Sequence, residues 1–137
     1  MIINAENLIL GRIASFAAKK ALLGETIDIV NCEKAVITGN KKFIVEKMHN
    51  KWKKGIPLKG PYVQRISNLY VRRVIRGMLP YKQHKGTVAF KRVKCYISVP
   101  DVLKDQKMIT IQEANVSKLK EMKYVTVGEV MHLIGGK

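Results

Sequence analysis

Arg72, Arg73 and Arg76 fall within one short stretch, Leu69-Tyr-Val-Arg-Arg-Val-Ile-Arg-Gly-Met-Leu-Pro-Tyr-Lys82. A guanidinium is a permanently charged planar fork that grips phosphate through paired hydrogen bonds. Three of them on one rigid element make an anion-binding device. Helical geometry supplies the rigidity. At roughly 100° per residue, Val71, Val74, Ile75, Met78 and Leu79 share one arc, while Arg72, Arg73 and Arg76 share another. The first arc suits a core; the second suits either solvent or a polyanion. Gly77 weakens the last turn, and Pro80 disfavours helical geometry at Leu79.

Further cations surround this stretch. Lys41, Lys42, Lys51, Lys53, Lys54, Lys59 and Arg65 precede it, and Lys82, Lys85 and Lys91 follow. Trp52, Tyr62 and Tyr81 are interleaved with these lysines and can stack on unpaired bases. Enzymatic constellations are weak by comparison. His49, His84 and His132 lie in three different elements without metal-ligand spacing. The acids of the first 95 residues form no catalytic pair. Thr38-Gly-Asn-Lys-Lys42 sits between a strand and a helix, like a phosphate-binding turn, but lacks the G-x-x-x-x-G-K-[ST] pattern. Its helix N-terminus suits one backbone phosphate at most. No helix-turn-helix, zinc-finger or RNP-type pattern appears. No cofactor, metal or small-molecule substrate is implied.

The charge balance chooses between solvent and polyanion. Of 137 residues, 26 are Lys or Arg and 10 are Asp or Glu, a net charge of +16. Residues 1–39 carry four basic residues and four acids, and residues 96–137 carry six and five. Residues 40–95 carry sixteen basic residues and one acid, Glu46, for a net +15. Solvated faces usually mix signs, and such an excess opposes compaction unless a polyanion neutralises it. An apolar fraction of 47% supports a globular core. No apolar run reaches the roughly 20 residues that span a bilayer, and the start MIINAENLIL does not read as a signal peptide. Cys32 and Cys95, each inside an apolar run, suit reduced core cysteines of a cytosolic protein.

These residues need a scaffold. Residues 1–4 read as a strand. Leu10, Ile13, Ala14, Ala17 and Ala21 form a helical stripe that ends at Gly24. Residues 25–31 read as a second strand, which completes a βαβ unit with a right-handed crossover. Residues 35–39 are another apolar run. Asn40 caps a helix over 41–54, with Phe43, Ile44, Lys47, Met48 and Lys51 on one side. Two Gly and two Pro within residues 54–62 forbid regular structure, leaving an extended basic loop. Ser67 or Asn68 caps the arginine helix. Residues 83–91 form a short helical turn, and 93–99 a strand ending at Pro100. Beyond Pro100 the chain is nearly neutral. It has a short extended piece at 109–111, a small helix through Met122 capped by Asn115 or Ser117, and a Thr126-Val-Gly-Glu129 capping box that opens a last helix. Residues 1–100 read as one α/β domain, and 101–137 as an extension packing on it or on a neighbouring protein.

Three segments, Leu10-Gly-Arg-Ile-Ala-Ser15, Val30-Asn-Cys-Glu-Lys-Ala-Val-Ile-Thr-Gly39 and Val74-Ile-Arg-Gly-Met-Leu-Pro80, occur in order at matching spacing. Over residues 1–100 the chain resembles the ribosomal protein L-thirteen family of the large subunit, in its archaeal-type form. Cys32 stands where that family usually has alanine, and residues 65–68 lack a proline often found there. The resemblance implies a three-layer α/β/α fold around a four-stranded, mostly parallel sheet. It also implies a structural, early-assembling binder of large-subunit ribosomal RNA, at the cytoplasmic ribosome, among neighbouring ribosomal proteins and without catalysis. Its RNA-facing segment maps to Arg72, Arg73, Arg76, Gly77, Met78, Leu79 and Pro80 with the basic loop. Two other functions compete: an RNA- or nucleotide-acting enzyme using the Thr38–Lys42 turn, and a peripheral membrane protein. The latter has little support, because the basic helix spends its apolar face on the core.

Overall fold

The chain runs β1 (Ile2–Asn4), α1 (Leu10–Leu22), β2 (Ile27–Val30), β3 (Val36–Thr38), α2 (Lys41–Lys53), α3 (Ser67–Met78), α4 (His84–Lys91), β4 (Val93–Cys95), β5 (Met108–Ile109), β6 (Tyr124–Thr126) and α5 (Val127–Leu133). This computed structural model describes residues 1–136; Lys137, the last residue of the expected extension, lies outside them. Four strands form a parallel sheet in the order β4-β2-β1-β5. The register sets Ile3 beside Ile29 and Ile109, and Ile29 beside Cys95. Strand alternation then directs Ile3, Ile27, Ile29 and Val93 to one face, all fully buried. The steps β1 to β2 and β2 to β4 move the same way across the sheet. Right-handed crossovers therefore put their helices on one face, and α1 packs against both α3 and α4. The alanines of α1 (Ala14, Ala17, Ala18 and Ala21) are buried and permit that close approach.

The α/β class and the parallel four-stranded sheet are those expected. Several local details differ. The fourth strand of the sheet is β5, from the region beyond Pro100. Strand β3 leaves the sheet and pairs antiparallel with β6. The strand expected over 93–99 stops at Cys95, because Ser98 takes a left-handed φ of 55° and its N–H turns to the Glu33 carboxylate. The helix expected through Met122 is one short turn, Val116–Lys118, capped by Asn115 rather than Ser117.

Two helix ends also depart from expectation. Neither Ser67 nor Asn68 caps α3: Ile66 holds the cap position without a side-chain bond, and Asn68 Oδ1 accepts from the Leu69 N–H inside the helix. At the other end Met78 is 43% exposed, although it shares the apolar arc. The helix stops there, Leu79 turns extended ahead of Pro80, and Leu79 drops into the core instead. In α2, Asn40 caps as expected, accepting from the Lys42 N–H at 3.0 Å. Only Met48 of that helix is buried, and Phe43 points outward. The half-made capping box of α5 explains part of this region. Thr126 Oγ1 accepts from the Glu129 N–H at 3.3 Å, while the Glu129 carboxylate reaches across to Lys41 of α2.

Candidate nucleic-acid interface

The arginine helix is positioned by Val71 and Ile75, both with no exposed surface. Their burial fixes the azimuth of α3, and the arginines follow from helical geometry. Each guanidinium is held in its own way. Arg72 lies over the Phe90 ring of α4, 4.7 Å from its centre. Arg76 lies over the Tyr81 ring at 5.0 Å. Arg73 Nη1 donates to the Tyr62 carbonyl at 2.7 Å, tying the helix to the basic loop. Arg65 lies over Trp52 at 4.0 Å. Stacking on an aromatic face fixes a guanidinium's plane and leaves its edge donors free.

The sixteen basic side chains of residues 40–95 are almost unneutralised. Among the described residues only Lys41 of these forms a salt bridge, with Glu129. That pairing makes Lys41 a poorer phosphate ligand than Lys42. It also removes most of the case for a phosphate turn at Thr38–Lys42, whose Lys42 N–H is already taken by Asn40.

The fold sorts the expected site residues into groups. Arg72, Arg73 and Arg76 join Tyr62 around a cleft of about 300 Å³ between α3, α4 and the loop. Gln64 and Phe90 also line it, and neither was singled out from sequence. Phe90 could be found only by placing α4 against α3. Lys51 and Lys54 line a second, more apolar cleft with Arg73 and Gly77. Lys41, Lys42 and Lys53 line a third, on the other side of α2. Lys53, Lys54, Tyr62 and Arg65 meet again along the loop. Lys59, Tyr81, Lys82, Lys85 and Lys91 are exposed and line none of these clefts.

Among the described residues no group of three or more His, Cys, Asp or Glu is placed to hold a metal, and no helix is long and apolar enough to cross a membrane. Residues 1–101 match the family model for ribosomal protein L13. The chain belongs to the ribosomal protein L13 family. It is 44% identical over 136 residues to the large ribosomal subunit protein uL13 of Methanopyrus kandleri, covering 98% of this chain and 86% of that one. The protein of the same name from Methanococcus maripaludis is 45% identical over 141 residues, covering 100% and 98%. That of Methanocaldococcus jannaschii is 44% identical over 140 residues, covering 99% and 98%. All three organisms are archaea, in keeping with the archaeal-type resemblance. The family is one of ribosomal proteins, not of enzymes. The family model ends near Pro100, while the relatives align through the tail as well.

Proposed function

We propose that this chain is a structural component of the large ribosomal subunit that binds folded ribosomal RNA through residues 40–95. Neighbouring large-subunit proteins meet its less charged surfaces. The observation that carries this reading is the unneutralised cationic face of α2, α3, α4 and the loop, where Lys41 alone has a carboxylate partner among the described residues. RNA strands brought together repel one another, and a rigid array of guanidinium and ammonium groups replaces their counterions. Such neutralisation favours compaction of the RNA, and a role early in assembly fits it. Membership of the family and relatives named as large-subunit proteins support the same reading. The ribosome of the cytoplasm is then its place of work.

Binding of large-subunit ribosomal RNA by the Arg72→Ala plus Arg76→Ala variant, measured across salt concentrations, tests this. Each lost phosphate contact lowers the slope of log K against log salt by about 0.7–0.9. Circular dichroism establishes that the variant is folded, because Arg72 also packs on Phe90. An unchanged slope in the folded variant removes α3 from the interface.

A further inference from the structure

The cleft between α3, α4 and residues 62–64 holds more than a phosphate requires. Arg72, Arg73 and Arg76, adjacent or one turn apart on α3, all line it. Tyr62, which carries an aromatic ring, and Gln64, which carries an amide, line the same cleft. Arg72 Nε is buried and has no hydrogen-bond partner. A buried charged donor left unpaired is costly, and an acceptor that met it as the Arg72 side chain shifted on binding would relieve that cost. Tyr62 is fixed at both ends: its hydroxyl donates to the Pro57 carbonyl at 3.0 Å, and its own carbonyl accepts from Arg73. The residue is nevertheless 64% exposed. An anchored and largely exposed aromatic residue beside three guanidinium groups is a stacking platform with a phosphate clamp next to it. The volume, about 300 Å³, lies at the small end of the range for small-ligand sites.

We propose that this cleft receives a single unpaired nucleotide of ribosomal RNA, swung out of its stack. Arg72, Arg73 and Arg76 hold its phosphate, Tyr62 stacks on its base, and Gln64 bonds the base edge, where an amide supplies both donor and acceptor. Paired RNA offers such a site backbone, 2′-hydroxyls and base edges but no free base face, so Tyr62 would have nothing to stack on. This inference rests on the RNA-binding reading above and adds the kind of nucleotide recognised.

The test has two arms. In the first, the whole protein is titrated with adenosine, cytidine, guanosine and uridine 5′-monophosphates and, separately, with inorganic phosphate, followed by ¹H–¹⁵N correlation spectra. At least one nucleotide saturates shifts at Tyr62, Gln64 and the Arg72 Nε–H at a concentration about tenfold below that needed by phosphate. Equal half-saturation by phosphate and all four nucleotides, or shifts spread over the whole basic face, overturns the proposal. In the second arm, Tyr62→Ala weakens binding to large-subunit ribosomal RNA about tenfold with an unchanged salt slope, and Tyr62→Phe retains the parent affinity. If Tyr62→Ala binds like the parent while the arginine variant loses slope, the nucleotide proposal falls and the RNA reading stands. If Tyr62→Phe loses as much as Tyr62→Ala, the hydroxyl rather than the ring matters, and stacking is refuted. If neither the tyrosine nor the arginine variants change binding, the nucleotide proposal falls and α3 leaves the interface.

Discussion

The guanidinium of Arg65 sits 4.0 Å from the centre of the Trp52 ring, joining the end of α2 to the residue that leads into α3. Thirteen positions separate the two in sequence, and the basic loop lies between them. The stack closes the loop at its base. His49 adds an edge-on contact to the same ring, 5.7 Å away. Trp52→Ala is expected to release the loop while costing the domain only about 1 kcal/mol. Limited trypsin digestion reads this as faster cleavage at Lys53, Lys54 and Lys59, with little change in Tm.

Two glycines near the arginines should behave oppositely. A Cβ on Gly86 would lie 2.1 Å from the Pro80 carbonyl oxygen. Gly86 thus lets α4 seat against the turn that ends α3. Gly86→Ala must displace backbone and is expected to cost about 1–3 kcal/mol. Around Gly77 a Cβ meets nothing within 4 Å, so Gly77→Ala is expected to stabilise the free helix by up to about 1 kcal/mol. Thermal unfolding of both variants checks the pair. If Gly77 serves close approach of RNA backbone, Gly77→Ala also weakens RNA binding despite its higher Tm. Equal affinity would leave Gly77 with no role at the interface.

The core thiol Cys32 gives a pH prediction. The adjacent Cys95 thiol and burial together push the Cys32 thiol well above its ordinary 9.0. The folded thiol stays protonated at a pH where the unfolded one ionises. Its stabilising contribution is therefore complete below about pH 9 and is lost at higher pH, by at most about 1.4 kcal/mol per pH unit. Cys32→Ala is expected to flatten that alkaline decline between pH 8.5 and 10, measured by urea unfolding against the parent. An identical decline in the variant would assign the effect to other groups.

The region beyond residue 100 is expected to be needed for folding. Val127, Val130, Met131 and Ile134 belong to the same buried cluster as Ile13, Val71 and Ile75. Each buried side chain of this size contributes roughly 1.5–3 kcal/mol, and the sum rivals the total stability of a small domain. A chain ending at residue 100 should be unfolded by circular dichroism. A cooperative thermal transition in that truncated protein would show that residues 1–100 stand alone.

Much of the cationic face was legible in the sequence, because charge and helical period are local properties. The cluster of +15 in residues 40–95 and the two arcs of α3 need no tertiary information. The caps at Asn40 and Thr126 were legible for the same reason, since each bond spans three residues or fewer. The positions that differ depend on neighbours or chain turns that the helical period does not carry. Phe43 shares a side of α2 with Met48, yet Met48 is buried and Phe43 is exposed. Met78 follows the apolar arc of α3, but the chain turns at Leu79 and gives that place away.

By itself the sequence determined that this is a basic α/β protein of the ribosomal protein L13 family, with its cations concentrated in residues 40–95 and its arginines opposite a core-facing arc. Tertiary structure decided which of those cations act together. Phe90 comes from α4 and Tyr62 from the loop, and only their packing against α3 makes a cleft beside the arginines. Glu129 lies 88 residues from Lys41, and only the seating of α5 against α2 neutralises that one lysine. Local periodicity fixes the direction in which a side chain leaves its own element. What it meets there depends on long-range packing, which no spacing within a single element encodes.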